Sequence, residues 1–579
     1  MFRLLSLTFP LVLFALICPA SAKDPLRFLP ETTNVVLKVE KPRALVEAIL
    51  KHDLAKEGQN LQIVRDFLDG ADARKIFQLI AHFEKELGFP WPELIDKLMG
   101  DGIAIGLNFG SSKAPATLIF QGTDERAVTK FMELGLALFE EELAQQGVKE
   151  KLARKTYAGV EVVQLDKELL VARIGDALVL TTKGDAMKSV LDQSEANTKN
   201  PKTKNAAKGR APAEAKKSLP GQPHAWLWVN MKPIKELPET KDLFATPRNE
   251  VILTLLAAGY LDVARRSDFI AAGLYHEAGD FRISVRMPAG REGMATDVEL
   301  HLPRDPKVGG SLPLLEPKGV VFSHSFYLDL DTLYKKREEI FPPQTAKDFA
   351  EGEKQISRFL LGTTLPKFLS QAGVHYRLVA VQPEKVESYK TEPGQRLPAF
   401  AIVISMRDPG FAKTMTGVVR AGVLALGQQV SLRSWDEEIA GIQTFGYSFP
   451  EKGKFAEDPQ GYRFNYQPTI GVVQDQYVIA SNKGIFKELV GLIQKEDRTK
   501  PMSQNMQMRG HASGIGTFLY TSPEQALAGV IVGQGVKVGE AKKQAEALFA
   551  FLTKLGTVSI ESDYGPKEFR FDLVWKTKK

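Results

Sequence analysis

The stretch that decides the fold is "VARIGDALVLTTKGDAMKSVL" (171–191), because "GVVQDQYVIASNKGIFKELV" (471–490) repeats its pattern far downstream. Each stretch contains a β-rich apolar run that ends at polar residues and continues at once into a helical pattern. Both carry a Lys-Gly pair at the junction, Lys183-Gly184 and Lys483-Gly484. Repetition of one strand–turn–helix unit predicts an internal duplication.

The same strand-then-helix pattern recurs through both parts of the chain, in matching order. It occurs at 34–50, 116–138, 177–191 and 225–237, and again at 319–340, 399–419, 477–493 and 516–530. A hairpin pattern of two alternating strands around a Gly-containing turn closes each series, at 269–287 and 556–575. We therefore expect two homologous halves, 23–300 and 319–579, joined by a Pro- and Gly-rich linker at 301–318. The alternative is chance similarity between generic strand–helix units.

The predicted fold class is α+β. Hairpins dominate over the strict strand–helix–strand alternation of a parallel sheet, so each half should be a mostly antiparallel sheet with helices packed on one face. In "ALVLTT" (177–182), Leu178 and Leu180 alternate with Ala177 and Val179, so both faces are apolar. That pattern indicates a central strand covered on both sides.

The N-terminus indicates export. Arg3 precedes an apolar run, and Ala20-Ser21-Ala22 forms a small-residue cleavage site, so residues 1–22 are predicted to be a signal peptide. The alternatives are a membrane anchor, for which the run is short, and lipidation of Cys18. Cleavage after Ala22 would leave no cysteine, which excludes disulfides and thiolate sites. The mature chain, with no transmembrane segment, is expected in the periplasm or outside the cell.

The positive charge of +6 is concentrated in "TKNPKTKNAAKGRAPAEAKKSLP" (198–220), which holds seven basic residues and one acidic residue. The stretch has no apolar period and is predicted to be a disordered loop within the first half. A basic arm for an anionic polymer is the alternative. Because no aromatic residues are interleaved to stack on bases, no nucleic-acid partner is predicted.

Carboxylates at strand–helix junctions resemble catalytic groups but are better explained as helix caps. Asp331, the 123–125 triplet and Ser522-Pro523 with Glu524 all stand where a helix begins. Asp329 and Asp331 form a D-x-D pair that lacks the further oxygen ligands and glycine of a calcium loop. Capping is therefore preferred over a calcium site.

No other motif predicts a reactive site. None of the eight histidines has metal-ligand spacing, and His224 and His511 are interpreted as matching strand-edge residues with backbone partners, against the alternative of a duplicated ligand. "GDGIAIG" (100–106) precedes a strand, whereas a dinucleotide loop follows one. No G-x-S-x-G or S-x-x-K motif is present. We predict no catalytic, cofactor-binding or metal-ligating residue and no cofactor.

One segment is unusually aromatic. "FGYSFPEKGKFAEDPQGYRFNY" (445–466) carries seven Phe and Tyr residues and is predicted to form a long hairpin. Aromatic residues at alternate positions usually pack in the core. The alternative is an exposed aromatic patch for a protein or glycan partner.

The chain resembles large uncharacterised exported bacterial proteins that carry a domain of unknown function. The resemblance rests on the LP-x-x-T stretch "LPETT" (29–33) after the signal peptide and on "GDALVLT" (175–181) before a helix. Both are patterns of low specificity. The resemblance implies an exported α+β protein and carries over no activity and no site residues.

These observations predict a non-enzymatic exported protein, a scaffold or binding module of the cell envelope or extracellular space. Its partner would be an unknown protein, a glycan or an apolar ligand. A second hypothesis is a carrier of an apolar ligand such as lipid, which predicts a large apolar pocket in each half. A third is a hydrolase with a dispersed site, which predicts polar residues with perturbed pKa values clustered in one cleft.

Overall fold

The computed structural model describes most of the chain. The described residues are 23–109, 115–147, 151–199, 204–247, 250–306, 308–386, 389–452, 458, 460–497, 505–521 and 537–578. The signal-peptide prediction for residues 1–22 and the predicted cap at Ser522-Pro523 lie outside them. The described chain forms two compact units. The first contains residues up to Asp242 and Ala264–Pro288, and the second contains Leu243–Val263 and Ala289–Lys579.

Ten strands build the sheet of the first unit, and neighbouring strands are all antiparallel. They are β1 Val35–Val39, β2 Gly102–Leu107, β3 Ala116–Gln121, β4 Ala153–Tyr157, β5 Val160–Gln164, β6 Leu170–Ile174, β7 Ala177–Thr181, β8 Ala225–Asn230, β9 Phe269–Glu277 and β10 Asp280–Met287. Their order across the sheet is β10-β9-β8-β1-β2-β3-β7-β6-β5-β4.

The sheet of the second unit also has ten described strands in antiparallel pairs. They are β11 Val320–Tyr327, β12 Ala372–Val381, β13 Ala399–Met406, β14 Arg433–Ile439, β15 Ile442–Ser448, β16 Thr469–Val473, β17 Gln476–Ala480, β18 Met506–His511, β19 Thr557–Tyr564 and β20 Phe569–Lys576. Their order is β20-β19-β18-β11-β12-β13-β17-β16-β15-β14. Each strand therefore occupies the place of the strand ten earlier in the first sheet.

The helices connect these strands. Those of the first unit are α1 Pro42–Leu50, α2 Asp53–Gly58, α3 Gln62–Leu68, α4 Ala71–Leu87, α5 Trp91–Met99, α6 Glu125–Gln145, α7 Gly184–Lys199, α8 Arg210–Ser218, α9 Met231–Glu236 and α10 Pro238–Lys241. Those that follow are α11 Val251–Arg266, α12 Leu330–Lys335, α13 Arg337–Ile340, α14 Pro343–Phe359, α15 Leu365–Gln371, α16 Gly410–Val430, α17 Lys483–Gln494, α18 Ala512–Thr521 and α19 Val538–Leu552.

The α+β prediction is confirmed. Among the described residues, no helix combines the length and apolar character needed to cross a bilayer.

Helices cover both faces of each sheet, so the expectation of helices on one face is wrong. In the first unit, α7 and α8 share a core with Val179, while α5 and α6 share a separate core with Leu178. In the second unit, α17 packs with Val478, while α15 and α16 pack with Tyr477. Adjacent residues of β7, and likewise of β17, thus face different layers, which is why both faces of the ALVLTT strand are apolar.

The basic segment 198–220 is not a disordered loop over its described residues. Residues 210–218 form α8, and Ala206, Ala215 and Leu219 are buried in the same core as Trp226. The Nζ of Lys216 lies 2.6 Å from Glu40 Oε1. Composition did not indicate this helix, because the buried side chains of the segment include small alanine methyl groups, which give no strong hydrophobic periodicity.

The predicted linker 301–318 is part of the second unit and lies against its sheet. Leu302 and Leu315 are buried. Gln507 on β18 donates to Ser311 Oγ at 2.8 Å, and the Leu312 amide donates to Ser325 Oγ at 3.0 Å. Its proline and glycine content suits an extended strap whose polar groups pair with the sheet. We call residues 308–318 the second strap.

The first unit begins with a corresponding strap, residues 24–34. Leu26, Phe28 and Leu29 are buried in the core that contains α7. A Cβ added at Gly106 on β2 would approach Leu29 Cδ2 to 2.7 Å, so the strap lies directly on the sheet there. In each unit a strap therefore leads directly into a strand in the interior of the sheet, β1 in the first and β11 in the second.

Two predicted elements are wrong in detail. The strand expected at the start of the strand–helix unit 516–530 is part of helix α18 over its described residues, and the strand in that place is β18, just upstream. Residues 243–263, expected in the first half, belong to the second unit, where α11 contributes Val251 and Leu255 to a core with Leu333.

Candidate functional site

The D-x-D carboxylates are engaged in a helix cap and ion pairs. Asp329, rather than Asp331, caps α12: it accepts from the Thr332 amide at 3.1 Å and from Thr332 Oγ1 at 3.0 Å. Arg407 Nη2 lies 2.9 Å from Asp329 Oδ2, and Lys335 Nζ lies 2.7 Å from Asp331 Oδ2. The carboxylate oxygens that a calcium ion would require therefore already bind a backbone amide and two cationic side chains. Within the described residues, no group of three or more potential ligands could hold a metal ion.

The cap at Asp124 follows the prediction and shows how these carboxylates act. Its Oδ1 accepts from the amides of Arg126 and Ala127 at 3.1 Å. The Ala127 hydrogen bond, assisted by Lys97, outweighs burial and lowers the pKa of Asp124. A lowered pKa means that the cap stabilises the fold fully at neutral pH and loses this effect as pH falls below about 3.9, the ordinary aspartate value.

His224 and His511 do not occupy equivalent positions. His224 immediately precedes β8, and its backbone amide donates to Leu274 O at 2.8 Å. His511 ends β18, and its Nε2 lies 2.9 Å from Glu316 Oε1 in the second strap. Arg509 Nη1 also lies 2.7 Å from Glu316 Oε2. His511 therefore holds the strap to the sheet through a carboxylate, so the expectation of two matching strand-edge histidines with backbone partners is wrong.

The aromatic segment 445–466 does not form a long hairpin. Its first part is β15, which pairs with β14 and β16, and residues 462–465 form a short 3₁₀ helix. Phe445 and Phe464 are buried, as the core interpretation predicts. Residues 453–457 and 459 lie outside the described chain.

A candidate binding surface lies on strands β11, β12 and β18 of the second unit. Along β11, the side chains at 322, 324 and 326 point to one face and are half-buried. We call this surface the aromatic face. Its members, all half-buried, are Phe322, His324, Phe326, Tyr376, Leu378, Met506 and Met508. The register places Phe326 opposite Tyr376 and Met506, so the members are neighbours across the sheet.

The rings of the aromatic face contact one another in a row. His324 stacks on Phe326 at 4.7 Å between ring centroids, and Phe326 stacks on Tyr376 at 5.6 Å. Phe322 approaches His324 edge-on at 6.1 Å. Such stacked and edge-to-face arrangements stabilise the row and leave apolar ring surface at its side.

The aromatic face is uncharged at neutral pH. Burial lowers the pKa of His324 to about 4, so the imidazole is neutral. Burial also raises the pKa of Tyr376 to about 12, with Asp329 contributing, so the phenol keeps its proton. Neither group can exchange a proton near pH 7, where general acid–base catalysis needs one. The surface is chemically suited to contact apolar or aromatic groups.

The corresponding strands of the first unit carry an aliphatic face. Its half-buried members on β1, β2 and β8 are Val35, Leu37, Val39, Ile105, Leu107, Leu227 and Val229. Ile283 on β10 is exposed. The first unit therefore has apolar residues on the same strands but lacks the row of rings.

Two depressions in the first unit are the wrong shape for an enclosed lipid. One is a shallow surface depression of about 440 Å³ whose lining includes the charged residues Asp185, Lys188 and Asp192. The other is enclosed on more sides but has a volume of only about 20 Å³, near Leu29 and Val190. A space of that size holds one water at most. Neither is the large apolar pocket that the carrier hypothesis predicts.

Comparison with known proteins leaves the family open. No protein-family model matches the chain, and no curated protein matches it. Among solved structures, crystal form I of TP0453 is similar over 48% of this chain and 84% of that chain, with 11% identity and a TM-score of 0.25. Crystal form III of TP0453 is similar over 48% and 83%, with 12% identity and a TM-score of 0.24.

Proposed function

We propose that the protein is a non-enzymatic, exported binding module of the cell envelope or extracellular space, and that the aromatic face is its binding surface. The observation that carries the proposal is a half-buried row of rings that stays uncharged at neutral pH. Contiguous accessible apolar surface marks sites of interaction with partners or ligands. The carboxylates and histidine that the sequence singled out act in caps and ion pairs, which supports a non-enzymatic role.

The common strand order supports the further proposal that the two units arose by duplication. Ten strands in each unit follow one order, including the return from the third strand to the seventh. In this proposal the ancestral unit had an apolar face on its first, second and eighth strands. The second unit then acquired rings where the first retains aliphatic side chains.

A carrier of an apolar ligand is the second candidate, because the same ring row could contact an acyl chain or an aromatic molecule. It differs from the scaffold in its ligand, a small molecule rather than a protein or glycan. The carrier requires that a small apolar molecule bind at the aromatic face with a defined stoichiometry.

Titration with N-phenyl-1-naphthylamine, an uncharged fluorescent apolar molecule, tests the surface. We expect saturable binding to the full chain, and about fivefold to tenfold weaker binding to Phe326→Ser, because that variant removes a stacked ring. The matched control is Phe67→Ser, which removes an exposed Phe from α3. Equal binding by all three proteins would contradict the proposal. Thermal melts identify any variant that fails to fold.

A further inference from the structure

A second apolar surface lies on helices of the second unit, away from β11. Ile356 and Phe359 on α14 are 47% and 72% exposed, Leu361 just after it is 58% exposed, and Leu424 on α16 is 72% exposed. Single exposed apolar residues are common on protein surfaces, whereas a contiguous group marks an interaction site. These residues can act as one interaction site only if they are contiguous.

Contacts between the two segments join them into one surface. A Cβ added at Gly417 on α16 would approach Leu361 Cδ1 to 2.7 Å, so the leucine lies directly on that helix. Thr363 Oγ1 lies 3.4 Å from Thr414 Oγ1 beside it. Helical periodicity places Leu424 on the same side of α16 as Gly417, two turns further on. We call Ile356, Phe359, Leu361 and Leu424 the helical patch.

The backbone at Leu361 is a second sign that this residue is held outward. Its φ of 51° lies in the left-handed region, and Gly362 follows at 87°. A non-glycine residue costs about 1–2 kcal/mol in that conformation. Leu361 directly follows the C-cap of α14, where a left-handed residue commonly ends a helix. This conformation holds the exposed leucine just beyond the end of the helix.

The charged residues around the helical patch indicate which kind of partner binds it. Residues 354–371, which contain the C-terminal end of α14 and the exposed apolar residues, hold Lys354, Arg358 and Lys367 and no acidic residue, while Asp348, Glu351 and Glu353 lie further upstream on α14. Residues 409–430 contain Lys413 and Arg420 and no acidic residue, and Asp408 directly precedes them. Arg420 is paired with Asp436, whereas the four lysine and arginine side chains that remain are all exposed. An apolar group flanked by exposed cations complements an interface in which acyl chains lie beneath anionic headgroups.

The first unit provides an internal comparison. Its helices α3 and α4 also follow the first strand of their sheet and expose Ile63, Phe67 and Phe77. The same stretch, 62–87, contains nine charged side chains of both signs. Five of the nine are acidic, so its exposed apolar residues lack the excess of cations found between residues 354 and 371.

We propose that the helical patch docks the protein peripherally on a bilayer that carries anionic headgroups. Phe359, Leu361 and Leu424 insert among the headgroups and upper acyl segments, and Lys354, Arg358, Lys367 and Lys413 contact the anionic charge. This interaction goes beyond the proposed binding role of the aromatic face, because it uses a different surface.

Vesicle flotation of the full chain tests the proposal. We expect binding to vesicles of equal phosphatidylglycerol and phosphatidylcholine, and much weaker binding to pure phosphatidylcholine or in 1 M salt. Lys354→Glu/Arg358→Glu should lower the partition at least tenfold, since each cation near an anionic surface contributes about fivefold. Phe359→Ser/Leu361→Ser should lower it by a similar factor.

The matched control is Ile63→Ser/Phe67→Ser in the first unit, which should leave the partition within twofold of wild type. All substituted side chains are exposed, and melting temperatures check that each variant folds. Equal partition onto neutral and anionic vesicles, or no partition onto either, overturns the proposal. So does self-association through the patch in sedimentation velocity without vesicle binding. N-phenyl-1-naphthylamine titration of the same variants reports separately on the aromatic face.

Discussion

Replacing Arg377 with methionine is expected to lower the free energy of unfolding of the second unit by about 3–5 kcal/mol. Arg377 lies on β12 with its side chain 1% exposed, paired with Glu496, whose side chain is 4% exposed. Its guanidinium also donates to Gln476 Oε1 and, at 3.1 Å, to Pro313 O of the second strap. Removal of the cation would leave the Glu496 carboxylate buried without its guanidinium partner.

Urea denaturation followed by far-UV circular dichroism measures this loss. The double variant Arg377→Met/Glu496→Leu is the control, because removing both charges avoids an uncompensated buried ion and should recover most of the stability. The first unit supports this expectation, since Ala104 occupies the matching place in its sheet. A loss below about 1 kcal/mol in the single variant, or an equal loss in both variants, would contradict the buried pair.

Leu315→Ala is expected to destabilise the second unit by about 2–5 kcal/mol. The residue belongs to the segment that composition identifies as a linker, where truncation of a side chain should cost little. In the structure it is 2% exposed and packs in the core that contains Val379 and Val478. Deletion of its methyl groups would leave a cavity against the sheet. Thermal and urea denaturation report the change.

Val308→Ala is the matched control, because Val308 lies in the same segment and is 48% exposed. Its free energy of unfolding should stay within about 0.5 kcal/mol of wild type. Similar small effects for both variants would mean that residues 308–318 behave as a free linker. The strap assignment would then be wrong.

The sequence pattern predicts the strand–helix units well because each contains its own signals. A β-rich run ends at capping residues and passes into an amphipathic helix, as at β3 and α6 or at β13 and α16. The hairpins β9–β10 and β19–β20 also lie where the pattern predicts. These features are local, so one sequence suffices to identify them.

Register is harder to predict, because it depends on pairing across the sheet. The shared Lys-Gly pairs align Gly184 with Gly484, yet α7 begins at Gly184 and α17 begins at Lys483. Strands β7 and β17 are also offset by one residue from the alignment of the two Lys-Gly pairs. Because side chains alternate, a slip of one residue assigns each side chain to the wrong face. Short identical motifs therefore identified strands that hold the same place in the two sheets, but not their register.

Burial of polar residues explains why the sequence pattern does not predict the aromatic face. "VVFSHSFY" (320–327) alternates clearly, and the usual interpretation places the rings inside and the serines outside. The structure has the reverse: Ser323 and Ser325 are fully buried, and the rings are half-buried. The second strap covers the serine side: its Leu312 amide donates to Ser325 Oγ, and its Ser311 Oγ accepts from Gln507. No local sequence pattern predicts a strap. The alternation therefore shows that strand β11 has two different faces, but not which face is covered.

Methionine-methyl NMR is the most direct test of the claim that the aromatic face is the binding surface. Met506 and Met508 lie on that face, whereas Met99 and Met187 are buried in the first unit. The full chain, labelled with ¹³C at methionine methyl groups, would be titrated with N-phenyl-1-naphthylamine. The account predicts saturable shifts of the Met506 and Met508 signals while those of Met99 and Met187 stay fixed. Unchanged Met506 and Met508 signals at saturation, or shifts confined to the first unit, would contradict it.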